Sequence, residues 1–199
     1  LRGDAQANWI YGGGGIDYIY GRDGDDVLLG EADNDTIQGN AGNDQLFGGE
    51  GDDRLYGGIG ADVLNGGNGM DLARYDDATA RVTADLATPG ANTGDAGGDI
   101  FVSIEGFVGT SFNDDLRGNS AGNFIFGGGG IDFIYGRDGN DTLLGEAGND
   151  TILGELGEDI LYGGLGADVL HTRRHRGGTG SQAGTLQGRH ARTRRRGPG

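Results

Sequence analysis

The sequence predicts an all-β protein, a parallel β-roll (β-solenoid) of 18-residue coils. Three observations carry this: an aspartate at every ninth residue, a glycine-rich frame around each one, and one aliphatic residue two places after it. The aspartates are Asp17, Asp26, Asp35, Asp44, Asp53, Asp62 and Asp71, then, after an interruption, Asp132, Asp141, Asp150, Asp159 and Asp168. Each occupies position 6 of a frame such as Gly48-Gly49-Glu50-Gly51-Asp52-Asp53-Arg54-Leu55-Tyr56. Position 1 is glycine, position 4 is usually glycine, and position 8 is aliphatic.

The first array spans 1–74, with units beginning at Gly3 (Asn8 in the aspartate slot), Gly12, Gly21, Gly30, Gly39, Gly48, Gly57 and Gly66. Within a unit, Gly-x-x-Gly-x-Asp reads as a turn, because glycine tolerates the positive φ that other residues resist. The remaining triplet is a minimal strand whose central residue faces one side and whose neighbours face the other. Those central residues are Ile10, Ile19, Leu28, Ile37, Leu46, Leu55 and Leu64, then Ile125, Ile134, Leu143, Ile152, Leu161 and Leu170. One aliphatic per unit, always in phase, makes a core ladder between two facing parallel sheets. A helix is excluded, since recurrent glycine would cost about 1 kcal/mol per residue relative to alanine.

The connector, 75–108, breaks the register. Ala80–Leu86 and Ile100–Val108 alternate like half-buried strands on either side of a loop at 87–99. It is expected to be a wider coil or small cap that continues the stack. The second array, 109–170, has units at Gly109 (irregular), Gly118 (Asn123 in the slot), Gly127, Gly136, Gly145, Gly154 and Gly163. Tyr11–Gly24 matches Phe126–Gly139 almost residue for residue, so an array plus its connector repeats at a spacing of 115 residues. The tail, 171–199, holds eight arginines, three histidines and no acid, and is expected to be disordered. Its abrupt change of composition reads as out-of-frame translation of a truncated gene in preference to a nucleic-acid arm. Leu1 falls in mid-repeat, so the chain is expected to be a fragment, and the lack of a signal peptide at this end says nothing about export.

Charge narrows the partners. All 31 acids lie in 1–170 against seven arginines, giving 7 − 31 = −24 there. Such a body repels nucleic acid and anionic membrane, and its natural counter-charge is a multivalent cation. No segment has the length of a membrane-spanning helix. There is no cysteine, hence no disulfide framework, and 47 glycines carry little apolar surface to offset the entropy of ordering. Another staple is needed.

The turns supply it. Coils 18 residues apart place alternate aspartates on one edge, pairing Asp17/Asp35, Asp26/Asp44, Asp35/Asp53, Asp44/Asp62, Asp53/Asp71, Asp132/Asp150, Asp141/Asp159 and Asp150/Asp168. Neighbouring strands lie about 4.8 Å apart, so bare carboxylates at that spacing repel strongly. Calcium fits between them, taking 6–8 oxygen ligands at about 2.3–2.6 Å in loose geometry from carboxylates and backbone carbonyls. Magnesium demands stricter geometry, and zinc prefers the nitrogen and sulfur ligands that 1–170 lacks. All twelve aspartates are therefore candidate ligands, with about one ion per adjacent pair of same-edge turns.

The frame closely resembles the Gly-Gly-x-Gly-x-Asp-x-U-x nonapeptide of the RTX (hemolysin-type) calcium-binding repeat family. Gly48–Tyr56, Gly57–Asn65 and Gly163–Leu170 match it in full, and Val102–Leu116 is similar to the spacer of multi-array members. The resemblance covers about 1–170 and implies a β-roll with calcium between turns. It further implies type I export of an unfolded chain that folds outside the cell. Asp33 at position 4, and Asn8 and Asn123 in the slot, depart from the pattern, so sites involving those asparagines are expected to be weak or empty.

The expected function is calcium-triggered folding of a secreted or cell-surface protein, with no specific protein partner legible. Two alternatives stay open: the non-catalytic part of a secreted protease, lipase or epimerase, and the spacer of an adhesin. No His-Glu-x-x-His motif occurs and 1–170 contains no histidine or cysteine to serve as base or nucleophile, so the segment itself is not expected to be an enzyme. Arg2-Gly3-Asp4 is an accident of the repeat register, and the outward tyrosines are read as a solvated face in preference to a sugar-binding strip.

Overall fold

The computed structural model describes residues 1–172 and the strand Thr185–Gly188. The first array forms β1 (Trp9–Gly14), β2 (Tyr18–Asp23), β3 (Val27–Ala32), β4 (Thr36–Ala41), β5 (Gln45–Glu50), β6 (Arg54–Ile59), β7 (Val63–Asn68) and β8 (Leu72–Arg74). The connector adds β9 (Thr83–Asp85), two short 3-10 turns at Pro89–Ala91 and Gly94–Ala96, β10 (Ile100–Val102) and β11 (Gly106–Val108). The second array gives β12 (Asp115–Arg117), β13 (Phe124–Phe126), β14 (Phe133–Tyr135), β15 (Thr142–Leu144), β16 (Thr151–Glu155), β17 (Ile160–Gly164) and β18 (Val169–Thr172). β19 (Thr185–Gly188) closes the series.

The fold is the parallel β-solenoid. Every paired strand is parallel and in an 18-residue register within each array, as in Ile19↔Ile37, Leu28↔Leu46 and Ile125↔Leu143. Even strands β2, β4, β6 and β8 continue through β11 into β13, β15, β17 and β19, forming one nine-stranded sheet that crosses both arrays. The opposite face is split. One five-stranded sheet runs β1-β3-β5-β7-β10 and another runs β9-β12-β14-β16-β18. Between the faces lies the aliphatic ladder, in which Ile19, Leu28, Ile37, Leu46, Leu55, Leu64, Leu116, Ile125, Ile134, Leu143, Ile152 and Leu161 are fully buried.

Strands β1 to β7 of the first array are six residues long, not three, because residues of positions 1–3 of the next unit also pair, as in Gly13↔Glu31 and Gly14↔Ala32. The tight turn shrinks to positions 4–6. Positive φ falls at positions 2 and 4, as at Gly49 (+117°) and Gly51 (+127°), and not at position 1. Position 1 is glycine for a different reason: a Cβ on Gly48 would meet the Asp53 carboxylate and, at 2.6 Å, the Gly66 carbonyl.

The connector's strands are shorter than expected. Ala80–Leu86 contributes only Thr83–Asp85, and Ile100–Val108 is interrupted at Ser103, whose φ of +48° turns the chain from one face to the other. The segment is thus half a coil with its own turn. β10 pairs with β7, and β11 sits between β8 and β13. β9, although earlier in the chain than β10, pairs with β12 and opens the second array's sheet. The expected disorder of 171–199 lies outside the described residues, apart from His171 and Thr172, which end β18, and Thr185–Gly188, which lies parallel to β17. Thr185-Leu186-Gln187-Gly188 has the polar-aliphatic-polar-glycine order of Thr36-Ile37-Gln38-Gly39 in β4.

Candidate metal centre

Every slot aspartate after Asp17 is fixed by the coil below it. The backbone N–H of one slot residue donates to the Oδ1 of the aspartate 18 residues on, at 2.7–3.2 Å, through all eight expected pairs. Asp114 to Asp132 is a ninth such step, at 2.8 Å. The chain therefore presents two edges. One runs Asp17, Asp35, Asp53, Asp71 and the other Asp26, Asp44, Asp62, with the second array repeating the arrangement.

Only one oxygen of each carboxylate is used. The Oδ2 atoms of Asp26, Asp35, Asp44, Asp53, Asp62, Asp71, Asp132, Asp141, Asp150, Asp159 and Asp168 are buried and accept no hydrogen bond. Asp17, near the exposed end of the stack, is only partly buried. A buried polar atom with no partner costs on the order of 1–3 kcal/mol, and more when charged; eleven in two rows need a common explanation. Each faces the direction in which the position-1 glycine lacks a Cβ. At the lower member of each of the eight expected pairs a backbone carbonyl of the next coil lies there too, as with Gly39 O beside Gly21 and Gly48 O beside Gly30. Carboxylate and carbonyl oxygens with no donor between them are the ligand set of a hard cation.

The electrostatics agree. Burial, opposed by the backbone N–H bond and reinforced by neighbouring carboxylates, pushes Asp44, Asp62 and Asp71 up to about 7. Asp132 and Asp141 rise to about 7 and Asp150 to about 6 from the same leading cause. A cation between the turns would oppose both the burial and the repulsion and favour the ionised form. Among the described residues, no three His, Cys, Asp or Glu side chains converge. Backbone carbonyls must therefore complete each coordination shell, which suits calcium and not zinc.

The asparagine slots behave differently. Asn123 Oδ1 accepts the Asn119 N–H at 2.8 Å, and its Nδ2 donates to the Glu105 carbonyl at 3.1 Å. Asn8 likewise accepts the Asp4 N–H at 2.7 Å. These amides satisfy their own turns without an ion.

Four functional features were not read from the sequence. Asp114 fills the slot of the irregular Gly109 unit. Asp99 and Glu105 fill it in the connector, accepting the N–H groups of Asp62 (3.0 Å) and Asp71 (2.9 Å). Their signal was present as acid-x-U-x in Asp99-Ile100-Phe101-Val102 and Glu105-Gly106-Phe107-Val108. The fourth is a second ladder at position 5, running the opposite way. Asp25, Asn34, Asn43 and Asp52 each accept the N–H of the residue 18 further on, as in Asn43 N–H to Asp25 Oδ1 at 2.8 Å. Asn113, Asn140 and Asn149 do the same in the second array.

Fold and site together define a repeat protein whose stacked glycine-rich turns hold hard cations. The RTX calcium-binding nonapeptide repeat matches in four copies, at residues 2–37, 38–72, 108–143 and 135–170, and the chain belongs to that family. Membership implies calcium as the cation, and proteins carrying these repeats are typically secreted. The comparison with curated protein sequences gave no match. Among the described residues, no helix is long and apolar enough to cross a membrane.

Proposed function

We propose that calcium binding between the turns drives folding of this segment after export, and that the segment works by binding and not by turnover. The observation that carries it is the double row of buried, unpartnered Oδ2 atoms. Without a cation, the folded form must hold them against their neighbours and without water. In the unfolded chain they are hydrated and far apart. Extracellular calcium modules bind at roughly 10⁻⁴–10⁻³ M, so a calcium-poor cytosol leaves the chain unfolded and the exterior folds it. Each ion that binds only the folded form adds stability by mass action, and many sites compound the effect. The twelve slot aspartates are the proposed ligands, and type I export machinery is the proposed partner in transit.

Circular dichroism of the chain in chelator and in millimolar calcium tests this. Parallel-β signal should be absent in the first and full in the second, with a steep titration between them. Full β content in chelator at pH 7.5 would overturn the proposal.

A second reading, the spacer of a surface adhesin, draws support from the nine-stranded sheet that passes unbroken through both arrays. At about 4.8 Å per strand that sheet is a rod on the order of 40 Å long.

A further inference from the structure

We infer a further divalent-cation site at the junction of the first array with the connector, formed by Asp71, the Ser103 carbonyl and Glu105. It rests on the calcium reading above, but two of its three groups, Ser103 and Glu105, lie outside the repeat matches, which end at 72 and resume at 108. The regular sites share a signature: the position-1 Cβ direction meets the unit's own Oδ2 and a carbonyl from the next coil, as at Gly48 with Asp53 Oδ2 and Gly66 O. Gly66 shows the same signature with a residue from the connector. Its Cβ direction meets Asp71 Oδ2 and the Ser103 carbonyl. Asp71 is fully buried and its Oδ2 has no hydrogen-bond partner. The Asp71 N–H donates to Glu105 Oε2 at 2.9 Å, so Glu105 stands where the next slot aspartate would.

Ser103 makes this possible. It is not glycine, yet it adopts a φ of +48°, and it lies two residues before Glu105. The turn delivers a carbonyl and a carboxylate to the same edge within three residues, where a regular unit needs six. Glutamate, one methylene longer than aspartate, spans the difference.

The opposite edge at the same level is closed instead. Asp99 accepts the Asp62 N–H with Oδ1, but its Oδ2 accepts the hydroxyl of buried Tyr75 at 2.8 Å. The three atoms nearest the Gly57 Cβ direction all belong to Asp62, with no carbonyl of the next coil among them. One edge of the first array therefore ends at the connector, capped by a protein donor. The other passes through it. Glu105 also accepts the Asn123 Nδ2 and the Phe124 N–H on its carbonyl, so it joins the last turn of one array to the first turns of the next. An ion at Asp71/Glu105 ties the connector to the first array and, through Glu105, to the second.

Calcium bound per chain, measured by equilibrium dialysis on the full chain, tests the site. Glu105→Gln should bind one ion fewer than the parent, while Glu31→Gln, an equal loss of charge at an exposed position, should match the parent. Equal stoichiometry in Glu105→Gln overturns the inference and leaves the calcium reading standing. A parent chain that binds no calcium overturns both. Should Glu105→Gln not reach the parental β content, crystals of the parent grown in calcium decide: anomalous density between Asp71 and Glu105 is expected, and its absence there, with density at the regular pairs, removes the site.

Discussion

A methyl group added at Gly48 has nowhere to go, since it would lie against the Asp53 carboxylate and the Gly66 carbonyl. Gly14, in the same type of strand but at position 3, has nothing within 4 Å of its missing Cβ. Overpacking a tight site costs about 1–3 kcal/mol, which in a chain of this size is roughly 2–4 °C of melting temperature per kcal/mol. Gly48→Ala should therefore lower the melting temperature in saturating calcium by several degrees and move the calcium midpoint upward. Gly14→Ala should leave both unchanged; a matching loss would mean that glycine is needed for flexibility and not for space. The sequence makes every position-1 glycine visible but not its reason, because a turn glycine and a close-approach glycine look alike in one dimension. Position 2 misleads in the other direction. Arg22, Glu31, Asn40, Arg137, Glu146 and Glu155 all adopt positive φ there, which their side chains conceal.

At the scale of the element, the arrays and the connector are held by different means. The regular units of the arrays leave carboxylate oxygens without donors, whereas the connector and the irregular Gly109 unit beside it satisfy theirs. Tyr75 serves Asp99, the Thr110 N–H (2.6 Å) and hydroxyl (3.1 Å) serve Asp114, and Arg137 serves Asp85 at 2.8 and 2.6 Å. Burial alone would raise the Asp85 carboxyl. Arg137 and the N–H groups of Ala87 and Thr88 outweigh it and hold Asp85 below the usual carboxylate range. Arg137→Met removes a charged hydrogen-bond donor from a buried acid, worth about 2 kcal/mol. It should cost that much stability in saturating calcium while leaving the number of bound ions unchanged, as read by chemical denaturation and dialysis together. Loss of an ion would show that Arg137 supports the metal centre and not the junction. The period of nine made the coil, the core ladder and the twelve slot aspartates legible. The connector resisted because its slot acids stand 37 and 34 residues from their partners, not 18. The position-5 ladder resisted because Asn and Asp give way there to Ala61, Met70, Ile131 and Ala167, which donate a backbone N–H but have no side-chain acceptor to continue the row.

The whole molecule should respond to acid in the opposite sense to most proteins. The slot carboxyls have ordinary values near 3.8 in the unfolded chain, and burial raises several to about 7 in the metal-free fold. A group raised on folding contributes stability that is complete below its unfolded value and is lost as pH rises through its folded value. In chelator, the chain should therefore gain β structure as pH falls from 7.5 toward 4, and circular dichroism should show the change centred between those values. Calcium should remove the dependence over that window, since the ion takes the place of the proton. A chelated chain with the same spectrum at pH 7.5 and pH 4 would show that the buried carboxylates do not limit folding.

The crossed order of β9 and β10 has a mechanical consequence. Chain leaving β8 goes forward to β9 in the second stack, returns through 86–99 to β10 on the first, and goes forward again through β11 and β12. The gap on the split face is thus spanned three times by covalent backbone, as a tailor's backstitch spans a seam. A straight-through coil would let the two stacks part under tension once a single ladder of hydrogen bonds had opened. Here a pull along the axis must also strip β9 or β10 from its sheet before the slack in the loop is released. The rod carries its reinforcement at the one level where its second face has no continuous sheet.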